Sequence, residues 1–278
     1  MDRKLVSAVA ASPVINDGDM ELFRALPTEA RESVGPFVFL DHYRHQSRRG
    51  IGDKPHPHAG IEVISYLLDG GVEHRDSQGF RDTLGAGDAQ YIRAGRGMLH
   101  AEQPAGGRHG LQLWTSLPPD RKLVEPTYAS FRAADIPHVK LDGAIIDVVA
   151  GDVAGAVGPM ILESRTTFAV AHIDAGATIR FEVADAPELG AYVLQGALDA
   201  DGTRLPKGAL AVFSDGEAVV LTTPEDAGPT LVAIVGGEPA QPPLYFSGPF
   251  VMDSPERLAQ AERDFVSGKM GRLDGVPF

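Results

Sequence analysis

At 278 residues the chain exceeds the usual single domain of about 100–200 residues, so two domains are expected, and 43% hydrophobic residues supply apolar material for both cores. Cysteine is absent, which removes disulfides, iron–sulfur clusters, thiolate zinc sites and cysteine nucleophiles; any metal must be held by nitrogen and oxygen donors. A formal net charge of −13 argues against a nucleic-acid binder, which needs a basic face to displace phosphate counterions.

In chain order, Arg3 and Lys4 ahead of an apolar run imitate the start of a signal peptide. Asp2, Ser7 and the shortness of the run favour a first β-strand instead, Leu5-Val6-Ser7-Ala8-Val9. No apolar run reaches the roughly 18 residues of a membrane span, and a soluble cytoplasmic protein is expected. Arg44, Arg48 and Arg49 form a short basic run that reads as a solvated loop. Glycine and proline then punctuate the chain at short intervals, leaving strand-length segments such as Glu62 to Leu68, Ala89 to Ile92, Leu111 to Trp114 and Ala209 to Phe213. This pattern predicts an all-β sandwich or barrel.

An internal repeat sharpens the prediction. Tyr66-Leu67-Leu68-Asp69-Gly70, followed by Leu84-Gly85-Ala86-Gly87-Asp88-Ala89-Gln90-Tyr91, is matched by Tyr192-Val193-Leu194-Gln195-Gly196 and Leu205-Pro206-Lys207-Gly208-Ala209-Leu210-Ala211-Val212. Each copy reads as an apolar strand ending at a Gly turn, with a second Gly turn opening another strand. Two copies of one β-domain follow, residues 1–130 and 131–278, with a linker between Leu117-Pro118-Pro119 and about Ala144. Near the C-terminus Ser254 is placed to cap a helix, with Pro255 at its first position and Glu256 in its first turn. Leu258, Ala261, Phe265 and Val266 recur at helical spacing before Gly268, which predicts an amphipathic helix docked on the β structure.

Seven of the nine histidines lie in the first 110 residues, and only His138 and His172 come later. In His56-Pro57-His58 the two imidazoles are two residues apart, so on a strand both face the same way. His100-Ala101-Glu102 repeats that parity. Two such pairs on neighbouring strands would make a set of three histidines and one carboxylate, open at the remaining positions. Neutral nitrogen with one carboxylate suits Fe(II), Mn, Ni, Co or Zn.

The spacing of Gly50, His56, His58, Glu62 and Gly70 resembles the first motif of the cupin superfamily. The second motif is kept only in part, because Arg93 replaces its proline and His100 falls late. Gly35-Pro36-Phe37, Leu40-Asp41-His42, His56-Pro57-His58-Ala59-Gly60-Ile61-Glu62, Glu73-His74-Arg75-Asp76-Ser77, Ala94-Gly95-Arg96-Gly97 and Gly110-Leu111-Gln112-Leu113-Trp114 together resemble the pirin family. Gly248-Pro249-Phe250-Val251-Met252 and the terminal helix fit it too.

That resemblance implies two tandem cupin-type β-barrel or jelly-roll domains with a C-terminal helix. It implies one metal, usually iron, on His56, His58, His100 and Glu102, and an incomplete site in the second domain. Glu102 then takes the carboxylate role ahead of Glu62, which is left to orient a ligand histidine. The implied activity is quercetin 2,3-dioxygenation, with a flavonol and dioxygen as substrates and Glu102 as acceptor of the flavonol's hydroxyl proton. The alternative implied by the same family is an iron-dependent, redox-sensing regulator that binds a protein partner. Among the remaining candidates, His74 reads as a pocket-mouth or structural histidine, and His42 and His45 as a surface loop. Arg96 reads as a brace for the loop carrying His100, and Trp114 as core.

Overall fold

The computed structural model describes residues 1–46 and 52–275. Arg48, Arg49 and Gly50 lie outside the described residues, while Arg44 is exposed. The chain forms two compact all-β units, each assembled from several stretches: Met1–Ser12, Phe23–Leu40 and Ala134–Ala240 in one, Pro13–Leu22, Asp41–Ala133 and Gln241–Phe278 in the other. This grouping differs from a single cut near residue 130, because the C-terminal stretch belongs with the histidine-rich one. Two backbone-directed contacts account for that: Val251 N–H donates to the Ala59 carbonyl at 3.1 Å, and Lys122 Nζ donates to the Val251 carbonyl at 2.9 Å. Ala59, Phe250, Met252, Ala261 and Met270 close a small apolar core over them.

The first strand, β1 (Leu5–Ala10), belongs to a seven-stranded sheet, and it pairs with Ala209–Phe213. The rest of that sheet runs through Glu188–Gln195, Thr230–Gly237, Thr166–Ile173, Ala144–Ala150 and His138–Leu141. A four-stranded sheet accompanies it, and inward residues of both, including Ile146, Phe181, Ala191, Leu198, Ala211 and Val219, form one apolar core.

The histidine pairs lie in a nine-stranded sheet. Its strands are β2 (Ser12–Asn16), β3 (Met20–Leu26), β4 (Phe37–His45), β5 (His56–His58), β6 (Ile61–Asp76), β7 (Arg81–Gly85), β8 (Ala89–Arg93), β9 (Met98–Ser116) and β10 (Thr127–Phe131). Its order is β10-β8-β6-β9-β4-β3-β2, with β5 added to β9 and β7 to β6. The long antiparallel pair β6–β9 runs from Ile61 opposite Ser116 to Asp76 opposite His100. The turn expected at Gly70 is instead a bulge inside β6: Gly70 has φ +78°, and a Cβ there would lie 2.2 Å from the Gly107 carbonyl oxygen. The expected linker likewise carries strand structure, since β10 pairs with β8 from Thr127 opposite Arg93 to Phe131 opposite Ala89.

The helix forms as expected, α1 (Pro255–Val266), and the Ser254 hydroxyl accepts from Arg257 N–H at 3.2 Å. Ala261 is buried and Leu258 packs beside it, but Val266 is 85% exposed. One residue past Phe265 is a turn of about 100° around the helix, which carries Val266 off the packed face. No helix among the described residues is long and apolar enough to cross a membrane.

Candidate metal centre

The pairing of β5 with β9 sets His56 directly opposite His100 and His58 opposite Met98. Ring centroids are 4.2 Å apart for His56 and His100, 4.9 Å for His58 and His100, and 5.1 Å for His56 and His58. One nitrogen from each ring lies within 4.8 Å of the others. Around His56, Nδ1–H donates to the Lys54 carbonyl at 2.9 Å, which leaves Nε2 as the atom with a free lone pair. His58 and His100 are buried, and neither ring nitrogen of either has a hydrogen-bond partner. The Pro249 carbonyl lies beside His58 without forming a satisfactory hydrogen bond.

Burial, followed by the neighbouring imidazoles, holds the pKa of His58 and of His100 well below the ordinary histidine value. Both rings are therefore neutral, the form that donates a lone pair. Buried polar atoms without partners are rare and costly, and a divalent cation would satisfy one nitrogen of each ring. The donor set fits such an ion.

Glu102 is placed differently. Its ligand atoms group with those of His74 and His100, a second set within 4.8 Å, and not with the three-histidine set. Oε1 is 3.6 Å from His100 Nδ1 and accepts from the Gln90 amide, which also donates to Ser65 Oγ at 3.1 Å. Oε2 accepts from Arg108 at 2.7 Å, and Arg108 Nε donates to His45 Nε2 at 2.9 Å. Burial pushes the Glu102 pKa up, but Arg108, His74 and the two donated hydrogen bonds outweigh it and hold the carboxyl below its usual range. His74 stacks on Tyr128 with centroids 4.2 Å apart and bonds Asp76 at 3.1 Å.

Glu62 faces the other side of the sheet. Gly60, with φ +74°, separates β5 from β6 and breaks the parity count; a Cβ there would lie 2.1 Å from the Val251 carbonyl oxygen. Three residues from the inward Ser65, Glu62 points the opposite way, accepting from Tyr91 at 2.6 Å and Thr115 at 2.8 Å. His42 and His45 are buried in β4, where His42 bonds His109 at 2.7 Å, rather than lying on a surface loop. Arg96 does not brace carbonyls; its guanidinium pairs with exposed Glu125 at 2.8 Å. Trp114 is buried and sets its ring edge-on to His58 at 5.2 Å, so it lines the centre.

Sequence reasoning overlooked Arg108, Gln90 and Tyr128. Gln90 carried a signal, a polar residue inside the otherwise apolar segment Ala89 to Ile92. In the other unit His138 and His172 flank Asp147 at 2.6 and 3.2 Å with half-exposed rings. Both sets of metal-compatible side chains found among the described residues lie in the histidine-bearing unit.

Comparison with known proteins identifies the family. The family model described as Pirin matches residues 19–115, and the one described as Pirin C-terminal cupin domain matches residues 168–271. A pirin-like protein of Caulobacter vibrioides is 31% identical over 91% of this chain and 90% of its own. The chain belongs to the pirin family. Human pirin is likewise 31% identical, over 89% of this chain and 87% of its own. Among solved structures, a quercetin 2,3-dioxygenase from Acinetobacter baumannii is similar with a TM-score of 0.87 and 28% identity, covering 98% of this chain and 99% of that one. A bacterial pirin from Escherichia coli, solved in complex with nickel(II), shares the fold with a TM-score of 0.64 at 18% identity, over 86% of this chain and 98% of its own. The pirin architecture is thus two tandem cupin domains with a C-terminal helix, all-β otherwise.

Proposed function

We propose that the chain is a metal-dependent dioxygenase that cleaves flavonols such as quercetin, using dioxygen and releasing carbon monoxide. The observation that carries this reading is the trio His56, His58 and His100, the last two buried, with the four ring nitrogens of His58 and His100 lacking partners. The similarity to a quercetin 2,3-dioxygenase over 98% of the chain supports it. The three histidines, with Glu102 beside His100, would hold one divalent transition metal, Fe(II) in the first instance, with Mn, Ni, Co or Zn compatible with the same donors. Such an ion polarises the flavonol's 3-hydroxyl and 4-carbonyl oxygens and lowers the hydroxyl pKa.

The protein's own contribution is positional. His58, His100 and Trp114 are buried, so they keep bulk water from the reacting oxygens and strengthen local electrostatics. Glu102, ionised and beside His100, accepts the 3-hydroxyl proton at Oε1. Gln90 and Arg108 fix that carboxylate from both sides, which keeps the acceptor atom aimed without reorganisation. The test is anaerobic binding of quercetin to metal-loaded protein, followed by admission of oxygen. Flavonol absorbance should be lost with stoichiometric carbon monoxide; no turnover with Fe, Mn, Ni or Co would overturn the assignment.

A further inference from the structure

A cavity of about 410 Å³ lies in the unit without the histidine cluster, and every residue that lines it belongs to that unit. It forms where the end of β1 meets Ala209–Phe213 and the strand Thr203–Pro206. Val9 is opposite Leu210, and Leu210 is opposite Tyr192, so all three share one sheet face. From β1 the lining takes Ala8, Val9, Ala10 and Ala11, whose small side chains leave the space open. Phe23 and Tyr192 add two aromatic rings to its wall.

The charges at this cavity are of one sign. Arg204 and Lys207 line it, and among the described residues no carboxylate does, although the chain carries a formal net charge of −13. A second cavity in the same unit, of about 580 Å³, is the contrast: Glu182, Asp185, Asp215 and Glu217 line it beside Arg3 and Arg165. Arg204 and Lys207 are both exposed, so they stand at the mouth of the first cavity. Lys207 Nζ is 5.7 Å from the centroid of the Phe23 ring, which sets the ammonium against the aromatic wall. Arg204 donates to both oxygens of Asp226 at 3.0 Å, an exposed pair that a competing anion can share.

An apolar, partly aromatic wall with two cations at its mouth matches a ring that bears an anionic group. The volume lies near the lower end of ligand pockets, about 300–1,000 Å³, which suits one ring or two fused rings. We propose that the cavity is a binding site for a small aromatic carboxylate. The ring lies against Phe23 and Tyr192, held by burial of its apolar surface. The carboxylate takes charge-assisted hydrogen bonds from Lys207 and Arg204. The site uses none of the metal-centre residues and stands independently of that reading.

Calorimetric titration of the full chain with 2-naphthoate, and with the neutral 2-naphthamide of the same shape, tests this. Naphthoate should bind once per chain and at least about tenfold tighter than the amide, the difference that one charge-assisted contact makes. Lys207→Glu should weaken naphthoate at least about tenfold and leave naphthamide within about twofold. Lys207 is exposed in the turn before Gly208, so reversing its charge spares the fold. Val9→Phe fills the cavity and should weaken both ligands about tenfold. Equal affinity for acid and amide would overturn the proposal. Naphthoate binding that is unchanged in Lys207→Glu would also overturn it, by placing the acid elsewhere on the chain. So would the absence of saturable binding to the wild type; sedimentation showing dimers that Val9→Phe disperses would then give the cavity to a second copy.

Discussion

The same strand pair occurs in both units with opposite chemistry inside. In one, Ser65 pairs with Gln90 across β6 and β8; in the other, Ala191 pairs with Ala211 across equivalent antiparallel strands. The residues that follow or precede them also correspond, Tyr66 opposite Ala89 and Tyr192 opposite Leu210. Ala191 and Ala211 disappear into an apolar core with Phe181 and Leu198, where close packing alone is required. Gln90 instead donates from its amide to both Ser65 Oγ and Glu102, and the same interior admits His58, His74, His100 and Arg108. A buried polar network of this kind is tolerated only when its members find partners. Here the histidines without partners are the place where the proposed ion would bind. One scaffold therefore serves as an apolar core in one copy and as a polar interior in the other.

The largest expected effect is on the apolar side of that comparison. Phe181→Ala removes a buried ring from the apolar core and should cost about 3–5 kcal/mol in thermal or denaturant unfolding. Metal binding by the other unit should survive in the folded fraction. Loss of metal in protein that is still folded would show that the two interiors are not separable in this way.

A smaller effect is expected on the polar side. His58 and His100 have pKa values well below 6.5 in the folded chain because burial disfavours their charged form. The unfolded chain therefore binds protons that the folded chain does not. The stability contributed by keeping these rings neutral is fully present above about pH 7 and is lost as the pH falls below about 6.5. Unfolding of metal-free protein between about pH 8 and pH 5.5 should show this decline, and His58→Gln with His100→Gln should flatten it. An identical slope in the double variant would contradict the assignment.

Much of this comparison was readable in the amino-acid order. The repeat around Tyr66 and Tyr192 located equivalent strands because Gly turns and apolar alternation are local signals. Ser254, Pro255 and Glu256 placed the helix start for the same reason. His56, His58 and His100 were legible because two-residue spacing on a strand fixes a common face. Parity misleads where the backbone turns: Gly60 lies between His58 and Glu62, so the two do not share a face despite their even spacing. The Gly70 bulge is equally silent in sequence, since the same glycine suits a turn or a bulge. Arg108 could not be found from its neighbours, because its partners His45 and Glu102 come from β4 and from the other side of a bulge.

The central claim is that one metal centre exists, in the histidine-bearing unit, on His56, His58 and His100. Metal analysis of protein loaded with Fe(II) under anaerobic conditions and then desalted tests it most directly, with wild type compared against His58→Ala and His100→Ala. The account predicts one ion per chain in the wild type and a loss of affinity on the order of 1,000-fold in either variant, equivalent to about 4 kcal/mol for one ligand. Retention of metal by both folded variants, or two ions per chain in the wild type, would contradict it.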